Sequence, residues 1–184
     1  RGFSFQKNEP LNMRLNGWPD DLTASEIVNH WPEKGIEKIL REYSQEKFSG
    51  NIAKAICEAR KVKIIITTFQ LAEIVKRAVP RNYEKGRIHP ATRIFLALRI
   101  AVNRELENLE QVLPPALEIL NKGGRIVVIT FNSLEDRIVK NFFREQARQG
   151  RLKILTPKPV TPDLVEIKNN PRSRSAKLRA AAKT

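Results

Sequence analysis

The sequence predicts an α/β protein with a doubly wound, mostly parallel sheet covered by helices. Residues 123–131 combine a glycine pair with a nearly continuous apolar run, which is typical of a strand buried on both faces. A helical pattern covers 134–148, and Gly150 then leads into a second strand candidate at 151–155, with a third candidate near the C-terminus. Strand, helix and strand in this order predict the crossover unit of a parallel sheet.

The first half of the chain is mainly helical in pattern. Thr23 and Glu26 have the spacing of a capping box, and Thr68 is expected to cap a helix that ends near Ala78. The run KVKIII at 61–66 is expected to form a short strand. Further helical patterns cover 36–43 and 45–60, and residues 1–17 are expected to form an ordered loop with two exposed phenylalanines, Phe3 and Phe5.

A long helix is expected to begin near Pro90 and to be ended or kinked at Pro114 and Pro115. Beside its apolar stripe lies a narrower row of side chains, at spacings of four, three and four residues. This row indicates either a polar network that fastens two domains together or a contact with RNA, and both readings stay open. Its members are Thr92, Leu96, Arg99 and Asn103.

The predicted strands are too few for an open parallel sheet. Such a sheet could not bury both of its faces, and its edges would be exposed. The chain is therefore expected to be the later part of a larger domain.

Composition excludes several classes of protein. No apolar run reaches the roughly 18 residues that a membrane span needs, and no signal-peptide pattern is present. The single cysteine, Cys57, excludes an internal disulfide framework and a cysteine-rich zinc site, and its apolar helical context indicates burial. His30 is the only other histidine that could join His89, so no metal site is expected. A reduced, cytoplasmic protein fits this composition.

Positive charge is concentrated in two segments of a chain whose formal net charge is +14. Residues 60–104 hold 11 lysines and arginines against two glutamates, a net of +9, and residues 151–184 hold 9 against two acidic residues, a net of +7. Two basic segments on a nearly neutral body indicate a polyanion partner, most simply nucleic acid. A disordered basic tail that only aids solubility is the alternative. Within the second segment, Arg172 and Arg174 suit phosphate groups.

Polar side chains follow the first predicted strand, at the edge where parallel sheets bind ligands. The residues at this edge are Thr130, Phe131, Asn132 and Ser133. Ser133, with Asp136 three residues later, is expected mainly to cap the next helix. Asn132 precedes that cap and either faces a ligand or serves the turn.

The motifs of the chain occur together, in the same order, in one known family. They are RGFSF and PLNMRL (1–5 and 10–15), YSQEKF leading to IAKAI (43–56), TTFQLAEIV (67–75), HPATRIFLALRIAVNREL (89–106), GGRIVVITFNSLEDRIVK (123–140) and NPRSRSAKLRAA (170–181). On these motifs the sequence resembles the MraW/RsmH methyltransferases, which methylate the exocyclic amine of a cytidine in bacterial small-subunit ribosomal RNA. The resemblance covers nearly the whole chain.

The resemblance implies a class I methyltransferase sheet, formed here by 1–17 and 90–184, with an inserted helical domain at 18–89. It implies S-adenosylmethionine as cofactor, bound mainly by a glycine-rich loop and first strands that this chain lacks. No cofactor-binding residue is therefore expected here, and the group that accepts the amine's protons is not identified. The implied partner is small-subunit ribosomal RNA or the 30S particle, without a membrane, and a homodimer stays open.

Resemblance and charge together give candidate RNA contacts. Phe3, Phe5 and Phe131 are candidates for the walls around an unstacked base, with packing inside the protein as the alternative. The basic loop 81–93 and the segment 170–179 are the expected phosphate contacts. The full candidate set is Phe3, Phe5, Asn12, Arg14, His89, Arg93, Arg99, Asn103, Phe131, Asn132, Ser133, Arg172 and Arg174.

Three positions depart from the family pattern. Asn12 replaces an aspartate but keeps a hydrogen-bonding side chain, and Leu96 replaces a glutamine and interrupts the polar row. Asn132 replaces a histidine and cannot accept a proton, so a histidine there is not an obligatory base. A non-catalytic RNA-binding or ribosome-assembly module is the alternative function, and binding of S-adenosylmethionine would separate the two.

Overall fold

The computed structural model describes residues 1–15, 22–83 and 89–184. Six helices come first: α1 (Ala24–His30), α2 (Glu33–Ser44), α3 (Ser49–Val62), α4 (Thr68–Ala78), α5 (Ala91–Asn103) and α6 (Glu105–Glu118). They are followed by β1 (Arg125–Thr130), α7 (Ser133–Arg148), β2 (Leu152–Ile154), α8 (Leu164–Asn169), a 3-10 helix (Pro171–Ser175) and β3 (Lys177–Lys183). The prediction of a mixed α/β protein is confirmed.

The chain forms two compact units, Arg1–Glu105 and Leu106–Thr184. In the described part of the first unit, α1–α5 follow the N-terminal segment, residues 1–15, and the second unit contains the sheet. This division differs from the predicted boundaries at 17/18 and 89/90, which concern a larger sheet and stay a prediction.

The first unit has one apolar core, into which the N-terminal segment inserts two side chains. Leu11 is 1% exposed and Met13 is fully buried. Cys57 is a buried free thiol, as its sequence context predicted. The helices contribute the larger buried side chains Ile27, Ile36, Leu40, Ile52, Ile56, Leu71, Ile94 and Leu98.

Backbone hydrogen bonds fix the N-terminal segment on these helices. The Leu11 N–H donates to the Ile66 carbonyl at 3.0 Å, and the Leu11 carbonyl accepts from the Ser25 N–H at 2.8 Å. Gly2 has φ +77°, and a Cβ there would lie 2.3 Å from the Pro10 carbonyl oxygen. Only glycine combines this conformation with so close an approach, which explains the glycine of the RGFSF motif.

The sheet of the second unit has the strand order β1-β3-β2. Both pairings with β3 are antiparallel, so β1 and β2 run parallel to each other and α7 connects them. The third strand candidate near the C-terminus is confirmed as the central strand of the three. One face of the sheet packs against α6 and α7, where Leu113, Ile126, Val139 and Phe143 form the core.

The other face of β1 is open, and the expectation that β1 is buried on both faces is wrong for the described residues. Exposed and buried side chains alternate along the strand. Val127 is 54% and Ile129 55% exposed. The apolar run therefore reflects a second face that nothing in the described part of the chain covers.

The predicted strand at 61–66 is wrong. Lys61 and Val62 complete α3, and the next residues are extended without forming a strand. The Asn29 side chain accepts from the Ile65 N–H at 2.9 Å and donates to the Ile65 carbonyl at 2.8 Å. The Asn29 amide thus takes the place of a neighbouring strand as the hydrogen-bond partner of the Ile65 N–H and carbonyl groups.

Two helix boundaries also differ from the prediction. The capping box of α4 is formed by Thr67 and Gln70, not by Thr68, whereas the Thr23–Glu26 box of α1 is confirmed. The predicted long helix ends at Asn103, because Arg104 adopts a left-handed conformation with φ 48°.

The two prolines expected to end or kink the long helix instead lie within α6. Pro114 and Pro115 are exposed, as are Glu110 and Gln111, whose carbonyls lack the usual helical donor. Water can reach this side of the helix, which lowers the cost of the two missing hydrogen bonds.

Candidate functional site

A cleft of about 440 Å³ brings several of the predicted residues together in the first unit. One wall is the N-terminal segment and the other is a face of α5. The lining residues are Phe3, Ser4, Phe5 and Gln6 on the segment, and Thr92, Phe95, Leu96 and Arg99 on α5. Two of the proposed aromatic walls and three members of the polar row thus share one site.

Phe3 and Phe5 are half-buried, not exposed as the sequence predicted. The Phe5 ring stacks on the His89 ring with centroids 4.6 Å apart and meets the Phe95 ring edge-on at 5.4 Å. Nδ1 of His89 accepts a hydrogen bond from the Ala91 N–H at 3.1 Å. In the neutral ring, Nε2 then carries the proton and is the donor.

Asn103 fastens the N-terminal segment to α5. Its Nδ2 donates to the carbonyls of Met13 at 2.8 Å and Arg99 at 2.9 Å. Its Oδ1 accepts from the Leu15 N–H at 2.8 Å. Asn103 therefore has a structural role within the first unit, because its side chain joins the two segments that form the cleft.

Arg99 forms a bidentate pair with Glu105, at 2.7 and 2.9 Å. Its side chain keeps 38% exposure at the cleft. This pair fixes the position of the guanidinium at the cleft and balances its charge, and the carboxylate engages only one side of the fork.

Asn12 and Arg14 form a tight turn at the end of the segment. Oδ1 of Asn12 accepts from the Arg14 backbone N–H at 3.0 Å and from its Nε at 3.1 Å. Between them, Met13 has a positive φ of 61°. The turn uses an acceptor oxygen at position 12, which both asparagine and aspartate can supply.

Arg93 lies beside the buried carboxylate of Glu46, a residue that the sequence analysis did not identify as a candidate. Its Nη1 donates to the Tyr83 hydroxyl at 3.0 Å and lies 3.8 Å from Glu46 Oε2. The Glu46 side chain is fully buried, and its Oε1 accepts from the Tyr83 hydroxyl at 2.7 Å and the Phe48 N–H at 2.9 Å.

The other five predicted residues lie in the second unit, at one end of its sheet. Thr130 pairs with Lys177, so the end of β1 and the beginning of β3 are neighbours. Phe131 follows β1 and is 54% exposed. Arg172 and Arg174 are exposed in the 3-10 helix before β3, which is ordered and not the solvated tail of the alternative reading.

The cap of α7 is Asn132, and the predicted Ser133–Asp136 capping box is wrong. Oδ1 of Asn132 accepts from the N–H groups of Leu134 and Glu135, both at 3.0 Å. Ser133 is exposed as the first residue of the helix. Asp136 instead turns inward, because β3 offers it two cations.

Asp136 forms a buried ion pair with Arg179 that the sequence did not reveal. The Asp136 carboxylate accepts from Arg179 at 2.6 and 3.2 Å, and Lys177 lies 3.6 Å from it. The hydrogen bond from Arg179 is the main cause that lowers the pKa of Asp136 below its ordinary value, against the opposing effect of burial.

Among residues 1–15, 22–83 and 89–184, no group of histidine, cysteine and carboxylate side chains is arranged to hold a metal ion. In the same residues, no helix combines the length and apolarity of a membrane span.

The chain is similar to curated proteins that share one name. A "Ribosomal RNA small subunit methyltransferase H" from Persephonella marina is 52% identical over 181 residues, which cover 98% of this chain and 61% of the relative. Proteins of the same name from Pelobacter propionicus and Leptospira interrogans are 48% and 50% identical, with all of this chain and 63% and 55% of their own lengths covered. The chain thus spans roughly three-fifths of the length of these methyltransferases.

The match to the MraW methylase family extends over residues 1–184. The chain belongs to this family.

Proposed function

We propose that this chain is the RNA-substrate part of an S-adenosylmethionine-dependent enzyme that methylates the exocyclic amine of a cytidine in small-subunit ribosomal RNA. The observation that carries the proposal is the cleft, which combines Phe3 and Phe5 with the fixed guanidinium of Arg99. Aromatic walls next to a cation suit an unstacked base and its phosphate. The names of the relatives supply the substrate.

In this reaction the enzyme mainly has to position the cytosine amine. The lone pair of the cytosine amine is delocalised into the ring, so the amine is a poor nucleophile. The enzyme must hold it in line with the sulfonium methyl group and accept its hydrogen bonds as the nitrogen becomes tetrahedral. In this chain, the ring stack of Phe5 on His89 and the tether through Asn103 keep the cleft's walls in place for such positioning.

Two observations support a sheet that continues beyond β1, as in a class I methyltransferase with residues 18–89 inserted. The parallel strands β1 and β2, joined by α7, form the crossover unit of a mostly parallel sheet. In the described part of the chain β1 is an edge strand with an apolar, half-exposed face. We propose that 1–17 and 90–184 belong to this sheet domain.

We further propose that S-adenosylmethionine binds mainly to parts of the family's fold outside residues 1–184. Calorimetric titration of the cofactor into residues 1–184 is expected to show weak or no binding. Tight one-to-one binding would contradict this division of labour.

The proposal is tested by transfer of labelled methyl groups from S-adenosylmethionine to 30S particles, with the full-length protein as enzyme. Nucleoside analysis is expected to find the label on the exocyclic amine of a cytidine. Phe5→Ala is expected to lower transfer at least about fivefold, because one stacked base contact contributes about 1–3 kcal/mol. Phe69→Ala is the matched control, since Phe69 is 46% exposed and lies outside the cleft lining.

Label on a ribose or a ring carbon would refute the proposed reaction. Tight RNA binding by a full-length protein that binds no S-adenosylmethionine would favour the alternative, a non-catalytic RNA-binding or ribosome-assembly module. The exposed Arg172 and Arg174 fit either function, because they would contact phosphates in both.

A further inference from the structure

A second cavity, of about 670 Å³, lies in the first unit at the C-terminal end of α4. Its cations are Lys76, Arg77 and Arg81, all of them exposed. Among the described lining residues the carboxylate is Glu73, whose Oε1 lies 3.9 Å from the Lys76 ammonium. The cavity is therefore cationic, and its charge favours an anionic ligand.

The inner surface of this cavity is apolar and aromatic. Val79 is 8% exposed and lies beside Pro80 and Pro90 in the lining, together with the rings of Tyr83 and His89. Apolar and aromatic side chains beside cations match a nucleotide, which has a flat base and a charged phosphate. The volume is within the range of roughly 300–1,000 Å³ that small-molecule sites have.

Both rings of the cavity are fixed by contacts behind them. The Tyr83 hydroxyl donates to the buried Glu46 and accepts from Arg93, at 2.7 and 3.0 Å. His89 is held by its stack on Phe5 and by the Ala91 N–H. Walls that are already ordered reduce the entropy lost on binding, so this cavity is built to receive a ligand.

The cavity and the cleft share a wall. Phe5 lines the cleft, His89 lines the cavity, and the two rings are stacked with centroids 4.6 Å apart. A single strand of RNA that places one base in the cleft would bring a neighbouring nucleotide to the cavity. The shared ring pair thus links a cytidine site to a second position along the same strand.

We propose that this cavity binds a nucleotide of the RNA strand next to the target cytidine. Arg77 and Arg81 hold its phosphate, and its base lies against Tyr83 and Pro80. The inference rests on the proposed function, since it requires RNA as substrate. It adds a second subsite and identifies Glu46, through Tyr83, as a positioning residue for that subsite.

The test uses the full-length protein and a short fluorescein-labelled single-stranded RNA that contains one cytidine, with anisotropy as the readout over a series of salt concentrations. The double variant Arg77→Glu, Arg81→Glu is expected to bind at least tenfold more weakly at low salt. The slope of the logarithm of the binding constant against the logarithm of the salt concentration is negative. Its magnitude is expected to decrease by about 1.4 in this variant, the value for two single-strand phosphate contacts.

The matched control is Lys34→Glu, Lys38→Glu, which makes the same change in net charge at two exposed positions of α2. It is expected to keep the wild-type slope. A loss in the cavity variant no larger than in this control would overturn the inference and leave the proposed function standing. Absence of RNA binding by the unaltered protein would contradict both.

Glu46→Gln is expected to weaken binding with an unchanged slope, because it loosens Tyr83 without removing a phosphate contact.

Discussion

The Asp136 carboxylate and the Arg179 guanidinium form a bidentate pair between α7 and β3, with oxygen–nitrogen distances of 2.6 and 3.2 Å. Asp136 is 9% exposed and Arg179 is 7% exposed. Each charge would be costly at this depth without the other. The pair therefore fixes α7 on the strand that lies between β1 and β2.

Asp136→Asn is expected to destabilise the second unit by about 3 kcal/mol, because it leaves the buried Arg179 without its counter-charge. All tryptophan and tyrosine residues lie between positions 18 and 83 of the sequence. Aromatic fluorescence in urea therefore follows the first unit, whereas far-ultraviolet circular dichroism follows both. We expect the dichroism transition to move and the fluorescence transition to stay.

Glu145→Gln is the matched control for this prediction. Glu145 is paired with Arg148 on the same helix, and that pair is exposed to solvent. Exposed ion pairs contribute little to stability, so neither transition should move. An equal effect of the two variants would show that burial is not the reason for the strength of the Asp136 pair.

Low pH is expected to remove the stabilisation that the Asp136 carboxylate gives to the folded protein. The pKa of this carboxyl is lowered from 3.8 in the folded protein, so protons bind the unfolded chain more readily. The stabilisation is complete above 3.8 and is lost as pH falls through the lowered folded pKa. Urea midpoints of the dichroism transition measured across this range should fall for the wild type and stay flatter for Asp136→Asn. Parallel pH profiles would contradict the assignment.

The side chain that caps α7 is that of Asn132 and not that of Ser133, and substitutions at the two positions test this difference. Asn132→Ala is expected to cost about 1 kcal/mol, because the N–H groups of Leu134 and Glu135 lose their acceptor. Asn132→Asp keeps the acceptor and adds a negative charge at the helix N-terminus, so it should retain stability. Ser133→Ala should have little effect by the same urea titration. A large loss from Ser133→Ala would restore the capping box that the sequence suggested.

Loss of the Asn103 side chain is expected to free the end of the N-terminal segment. In Asn103→Ala the Leu15 N–H and the Met13 carbonyl lose their partners, at 2.8 Å each in the structure. Hydrogen exchange of peptides that contain Leu15 should accelerate by about tenfold, as expected for one lost hydrogen bond of about 1.4 kcal/mol. Thr92→Ala, on the same helix, should leave this exchange unchanged.

The sequence predicted those features whose signals are local. The strand β1, the helix after it and the capping box at Thr23 follow from patterns within a few residues of each other. The third strand was also foreseen, but not its place between the other two, because strand order depends on contacts across the chain.

The features that the sequence missed depend on distant partners. Asp136 has capping-box spacing from Ser133, and nothing local shows that Arg179 will draw it inward. The break at Arg104 lies inside a regular apolar stripe, so periodicity predicted a longer helix. Three of the residues that line the cleft, Phe3, Phe5 and Arg99, were candidates from the sequence, whereas the pairing of its two walls required the structure.

Thr68 is distant in sequence from the N-terminal segment but holds the backbone of that segment by two hydrogen bonds. This fully buried residue of α4 donates through its hydroxyl to the Lys7 carbonyl and accepts from the Glu9 N–H, at 2.6 and 3.1 Å. Neither Thr68 nor its helix lines the cleft. Inherited variation at such a position can shift the N-terminal segment while every lining residue stays the same, so a comparison restricted to the lining would overlook it.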